Sequence, residues 1–227
     1  MICGITSRRG LLPSAATPTE AFRAQVAQFE ALAGAGVDLI QIREPDLDAG
    51  DLAALAEAAL RAVEGTATKI LLNDRLDVAL AAGAHGVHLR ASAPPAARLR
   101  TLMPAGFLAG RSVHSSAEAE AAEQGGGLDY LILGTIFPSA SKRPGHPAIG
   151  TRALAAAVQR TRLPILAVGG ITMDRAREVA GAGAAGVAAI SLFQTKELSG
   201  EDRAKRMAEI VRGLRIAFDT TRLDPYH

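Results

Sequence analysis

The chain of 227 residues predicts an α/β fold, a single (β/α)8 barrel. Three observations carry that reading. Eight short apolar runs recur along the chain, helical stretches separate most of them, and the runs are continuously apolar rather than alternating. Unbroken apolarity is what a strand buried on both faces requires. Repeated strand–helix units imply a parallel sheet. Eight of them in this length favour a closed barrel over the alternative, an open doubly wound sheet.

The elements follow in order. "MICGIT" (1–6) reads as the first strand. "TPTEAFRAQVAQFEALAGAG" reads as a helix, with Thr17 as N-cap, Pro18 at the first helical position and Gly34 or Gly36 at its end. "VDLIQIR" (37–43) is the second strand and "LDAGDLAALAEAALRAVEG" the second helix. Strands then recur at 68–73, 86–89, 107–113, 130–134, 164–170 and 186–191. Helices fall at 75–82, 95–103, 115–124, 151–160, 174–182 and 201–218. No linker or composition shift divides the chain, so residues 1–221 form one domain and 222–227, "RLDPYH", a tail.

Composition narrows the function classes. Aromatic residues are 4% and Trp is absent, which argues against a stacking platform for single-stranded nucleic acid. The net charge is +2 with both signs interspersed, so no basic stripe marks a nucleic-acid partner. Cys3 stands alone in an apolar run and reads as a small buried hydrophobe. No run approaches a membrane span, and a soluble cytoplasmic protein is expected. Alanine-rich helix faces suit packing within the shell or between subunits, so a homo-oligomer stays open.

A barrel of this kind does its chemistry at the C-terminal ends of its strands. Polar groups stand there on nearly every strand: Gln41, Arg43 and Glu44; Asn73 and Asp74; His88 and Arg90; Ser112 and His114; then Ser191. "AVGGIT" (167–172) sets Gly169 and Gly170 before a helix starting near Asp174, where backbone N–H groups can approach an anion. Ile190 and Ser191 would complete a phosphate site across the next strand end. The loop "SASK" offers Ser139 and Ser141 on one side of an extended segment, with the Lys142 ammonium beside them. Asp74 is an oxygen ligand suited to Mg2+, although Asn-Asp before a helix is also an ordinary cap. His114 has the chemistry of a proton shuttle, or of a cap; His88, inside a strand, reads as a core histidine, and His146 as a loop residue able to swing over a ligand.

Taken together, "QIRE", "NDRLDVAL…GAHGVHL", "GRSVHS", "DYLILGTIFPSASK", "PILAVGGIT" and "GAAGVAAIS" resemble the thiamine phosphate synthase/TenI superfamily from about Met1 to Phe193. That resemblance implies a transferase of thiamine biosynthesis. Hydroxymethylpyrimidine pyrophosphate loses Mg2+-bound pyrophosphate, and the nitrogen of thiazole phosphate captures the pyrimidine cation. By position it implies Gln41, Arg43, Asn73, Ser112 and Lys142 around the pyrophosphate and Asp74 on the metal. Ser139, Ser141, Gly170 and Ser191 would hold the thiazole phosphate. Two departures stand out. The synthase pattern after "GVHL" ends in a second metal-binding Asp, where this chain has Ala93, and the Lys after "RE" is Pro45. Arg90 adds a cation near the gap. The TenI branch implies a metal-independent thiazole isomerase instead, but Thr135 stands at the place of that branch's His. A catalytically silent sensor of thiazole or thiamine phosphate is the third reading.

Overall fold

The structure, a computed structural model, describes residues 1–11, 17–139, 145, 147–194, 198 and 200–222. Eight parallel strands close on themselves in sequence order, β1 to β8, and β8 pairs back onto β1. The strands are β1 (Ile2–Ile5), β2 (Leu39–Ile42), β3 (Lys69–Asn73), β4 (Gly86–Leu89), β5 (Leu108–Val113), β6 (Tyr130–Gly134), β7 (Ile165–Val168) and β8 (Gly186–Ala189). The helices are α1 (Arg8–Leu11), α2 (Pro18–Gly34), α3 (Ala49–Ala62), α4 (Leu76–Ala81), α5 (Ala96–Arg100), α6 (Ser116–Gln124), α7 (Gly150–Val158), α8 (Ala176–Gly181) and α9 (Gly200–Arg222). The expected barrel is therefore observed, and the open-sheet alternative is not.

The period of two along each strand divides the core in two. Cys3, Ile5, Leu39, Leu71, Tyr130, Ile132, Leu166 and Ala188 point inward and fill the barrel. Their neighbours, such as Ile40, Leu72, Leu131 and Val187, point outward and pack under the helices. Both sets are buried, which is why the strands read as unbroken apolar runs. Cys3 lies wholly inside, and burial pushes its thiol up to about 12, so it is an inert packing residue.

Local signals set the helix ends. Thr17 and Glu20 form a reciprocal capping box at the start of α2, with Pro18 at the first position. Asp48 and Ser115 cap α3 and α6 in one direction only, each accepting from the backbone N–H three residues on. Two elements lay outside the expectation: α1, a single turn after β1, and a 3-10 turn at Ser191–Phe193. Both are too short to show a helical period. The strands at 164–170 and 186–191 also end sooner than expected, at Val168 and Ala189.

Candidate active site at the barrel mouth

The last inward-facing residue of a strand has no layer above it. Ile5, Gln41, Asn73, Ser112, Gly134, Val168 and Ile190 occupy such positions and form the floor of a cavity of about 450 Å3. Arg43, Pro45, Asp74, Arg90, Val113, His114, Thr135 and Gly169 wall it. The structure thus brings together Gln41, Arg43, Asn73, Asp74, Arg90, Ser112, His114, Gly169 and Ile190. Gly170 and Ser191 each follow a lining residue in the chain but do not themselves line the cavity, and neither does the half-buried Ser139. Ser141, Lys142 and His146 lie outside the described residues.

Three strands build one polar layer beneath the mouth. His88 on β4 pairs with Gly110 on β5, and Gly110 pairs with Tyr130 on β6. A Cβ on Gly110 would stand 2.1 Å from the Tyr130 ring, so only glycine lets that ring lie across β5. The phenol then reaches His88 Nδ1 at 3.1 Å, and His88 Nε2 meets Ser112 Oγ at 2.9 Å. The phenol proton has Nδ1 as its acceptor among the described residues. On that assignment Nε2 carries the hydrogen and donates to Ser112. The serine hydroxyl is left to donate into the cavity, which suits an anionic oxygen. His88 is buried and pushed down to about 3, first by burial and then by the Arg111 charge, so it stays neutral. It is the core histidine the sequence suggested, and it also steers a mouth residue.

A second network orders the β2 and β3 ends. Gln41 Nε2 donates to Asn73 Oδ1 at 2.9 Å, and Asn73 Nδ2 donates to Asp74 Oδ2 at 3.3 Å. Gln41 is 2% exposed and its Oε1 is a buried acceptor with no hydrogen-bond partner among the described residues. Behind Arg43, the buried Glu44 accepts from Thr6 Oγ1 at 2.7 Å, the Arg8 N–H at 3.0 Å and Gln25 Nε2 at 2.8 Å. Thr6 Oγ1 in turn accepts from the Arg43 N–H at 2.9 Å. Burial raises the Glu44 carboxyl despite these donors. Glu44, grouped with the rim on sequence, is thus an anchor that holds Arg43 at the mouth.

Asp74 is not the cap its sequence context allows. The N-cap of α4 is Arg75, with no side-chain capping bond. Asp74 takes φ of +61°, a left-handed backbone found at no other non-glycine residue among those described. Its carboxylate instead turns to the β4 end, accepting from the Arg90 N–H at 2.7 Å and forming an ion pair with the guanidinium, Oδ2 lying 3.1 Å from Nε. The donor set does not fit a preformed Mg2+ site. One carboxylate is present, both of its oxygens are engaged by Arg90, and Ala93 lines a different cavity, between its own loop and α6. Among the described residues no three His, Cys, Asp or Glu side chains cluster as metal ligands.

Across the mouth, Gly169 and Gly170 have φ of +99° and +62°. A Cβ on Gly170 would meet the Pro138 carbonyl at 2.5 Å, so the β6 and β7 loops touch through bare backbone. Arg175 pins them, with Nη1 donating to the Gly170 carbonyl at 2.8 Å and its guanidinium 4.6 Å from the Phe137 ring. The helix expected near Asp174 begins at Ala176 and has six residues, because its first turn is drawn into this loop contact. His114 is likewise no cap: Ser115 fills that role, and His114 Nδ1 lies 2.8 Å from the Gly134 carbonyl. That acceptor fixes the hydrogen on Nδ1 and leaves the lone pair on Nε2.

Sequence reasoning missed Tyr130, Arg111 and Arg175. Tyr130 opens a strand and looks like core filling. Arg111 faces outward from β5 and donates to the carbonyls of Ala91, Ala93 and Pro94, fastening the loop after β4. An arginine beside "SVHSS" gives no local sign of that partner.

A match to the family model described as thiamine monophosphate synthase spans residues 15–193. The chain belongs to the thiamine monophosphate synthase family. A thiamine-phosphate synthase from Chlorobium luteolum is 38% identical over 185 residues, covering 82% of this chain and 86% of its own. One from Methanoculleus marisnigri is 43% identical over 161 residues, covering 70% and 75%. The solved thiamine phosphate pyrophosphorylase of Pyrococcus furiosus superposes with a TM-score of 0.77 at 28% identity, covering 95% of this chain and 96% of that one. Of the two departures that the resemblance implied, Pro45 lines the mouth, whereas Ala93 lines the neighbouring cavity.

Proposed function

We propose that this chain is a thiamine-phosphate synthase, joining hydroxymethylpyrimidine pyrophosphate to thiazole phosphate with release of pyrophosphate. The observation that carries this is one cavity in which Arg43, Asn73, Arg90 and Ser112 face Gly169 and Ile190. Such a mouth has cationic and hydroxyl donors on one side and bare backbone on the other. The C–O bond from the pyrimidine methylene to pyrophosphate breaks with its electron pair leaving on oxygen. The thiazole nitrogen lone pair then forms the new C–N bond. Charge grows on the departing oxygens, and donors held in place before the reaction stabilise it most. Arg43, Arg90 and the Ser112 hydroxyl serve that end. Gly169, Gly170, Ile190, Ser191 and Ser139 serve the thiazole phosphate; by the resemblance Ser141 joins them and Lys142 serves the pyrophosphate, both lying outside the described residues.

Gln41 offers a ligand both kinds of partner: one Nε2 N–H donates to Asn73 and the other is left over, while Oε1 is an acceptor without a partner among the described residues. The N–H suits a pyrophosphate oxygen, as the resemblance implies, and the acceptor suits an amino group on the pyrimidine.

The test supplies both substrates and follows pyrophosphate and thiamine phosphate together. Equimolar formation of the two is expected. His114 supports a second reading, a thiazole isomerase, because its Nε2 lone pair belongs to a cavity-lining residue. Turnover of a non-aromatic thiazole carboxylate phosphate, with no pyrophosphate formed, would establish it. Tight phosphate-dependent binding with neither reaction would establish a sensor.

A further inference from the structure

We propose that Arg90 is a cation built into the chain where a divalent ion would otherwise sit, so that this protein anchors the departing pyrophosphate without Mg2+. The inference rests on the synthase reading and deepens it. Three observations carry it. Arg90 holds Asp74 twice, by a hydrogen bond from its own N–H at 2.7 Å and by an ion pair through Nε at 3.1 Å, so a metal would have to displace a cation to reach the carboxylate. Only Nε of the guanidinium is engaged among the described residues. The four N–H bonds on its two Nη atoms therefore remain for a ligand in the cavity that Arg90 lines. The loop is also fastened: Arg111 Nη1 donates to the Ala91 and Ala93 carbonyls at 3.3 and 3.2 Å, Nη2 donates to the Pro94 carbonyl, and the Ala93 N–H closes a turn onto the Arg90 carbonyl at 3.0 Å.

A planar guanidinium drawn to Asp74 through Nε presents its outer edge as a fork, the geometry that bridges two phosphate oxygens. Asp74 thereby acts as a positioning residue for Arg90. The charge arrangement opposes a second cation as well. Arg43 shares the cavity, and Arg111 lies near enough for the Asp74 charge to act on it. In the reaction the methylene C–O bond breaks, its electron pair goes to the pyrophosphate oxygen, and Arg90 N–H groups donate to that leaving group. No proton transfer and no further reactant are required.

The experiment is calorimetric titration of the full chain with inorganic pyrophosphate, in EDTA and in excess Mg2+. Wild type is expected to bind in EDTA with a Kd within about threefold of the Mg2+ value. Arg90→Ala is expected to weaken binding in EDTA by about 10- to 100-fold, the range of a lost charge-assisted hydrogen bond, with Arg90→Lys between the two. The Arg90 side chain is 69% exposed, so the thermal melt of Arg90→Ala should match wild type. Wild-type binding that appears only with Mg2+, or an Arg90→Ala variant that binds as well as wild type, would overturn the proposal. The complete reaction separates this inference from the one beneath it. Thiamine phosphate formed with Mg2+ and not in EDTA sinks the Arg90 inference and leaves the synthase reading standing. Pyrophosphate bound as expected, with no product under either condition, sinks the synthase reading and leaves Arg90 as an anion site.

Discussion

A single side chain can be chemically ordinary in sequence and decisive in place. His88 is one: both ring nitrogens are used, and it stays neutral because burial and Arg111 hold it down at about 3. That shift has a consequence for stability. Below the ordinary value of 6.5 the unfolded chain binds a proton at this residue that the folded chain refuses. Folding stability therefore falls as pH drops from 6.5 towards 3, by up to about 1.4 kcal/mol per pH unit from this group. Urea unfolding between pH 7 and pH 4.5 should show the decline, and a His88→Gln variant, which keeps hydrogen-bonding capacity, should show a shallower one. Equal slopes would mean that His88 takes up its proton in the folded state.

At the scale of elements, the mouth depends on register. His88, Gly110 and Tyr130 are consecutive partners across β4, β5 and β6, and the absent side chain at Gly110 is what joins the outer two. Gly110→Ala would force a methyl into the Tyr130 ring and pull the phenol from His88. Overpacking of this kind should cost about 3 kcal/mol, lowering Tm by about 6–12 °C at this chain length. A calorimetric scan measures it, and a variant that melts like wild type would show the layer to be loosely packed. The glycine reads in sequence as one of 23. Its role appears only when the next strand, β6, is laid beside it.

Across the whole molecule, the end of the barrel opposite the mouth is drawn together by Asp38. Its Oδ2 accepts from the Ile2 N–H at 2.6 Å, and its Oδ1 accepts from Arg215 Nη2 at 2.9 Å, tying β1, the start of β2 and α9 to one another. Burial acts to raise the Asp38 carboxyl, but Arg215 and the Ile2 N–H outweigh it and hold it below 3.8. Asp38→Ala should destabilise the fold by about 1 kcal/mol at neutral pH, the loss of a half-buried acceptor whose two donors water can partly reach. The stability this carboxylate adds is present above 3.8 and is lost as pH falls through its lowered folded value. The gap between wild type and variant should therefore narrow in acid, as chemical denaturation at pH 7 and pH 3 can establish. A gap that holds constant would assign the loss to packing rather than to charge.

The barrel was legible because its signal is local and repeated. Each strand is buried on both faces and each helix on one, so hydrophobic runs and capping residues such as Thr17 and Glu20 declare themselves within a few positions. The rim was legible for a related reason: strand ends deliver Gln41, Asn73, Ser112 and Ile190 to one mouth once the barrel is granted. Which partner each polar group takes was decided by tertiary structure alone. Asp74 reads as a cap or a metal ligand until Arg90 is brought across from the next strand. Arg111 and Arg175 look like surface charge until their carbonyl partners, on other loops, are in reach. Hydrogen bonds act over about 3 Å. Strand spacing, not sequence spacing, determines who lies within that distance.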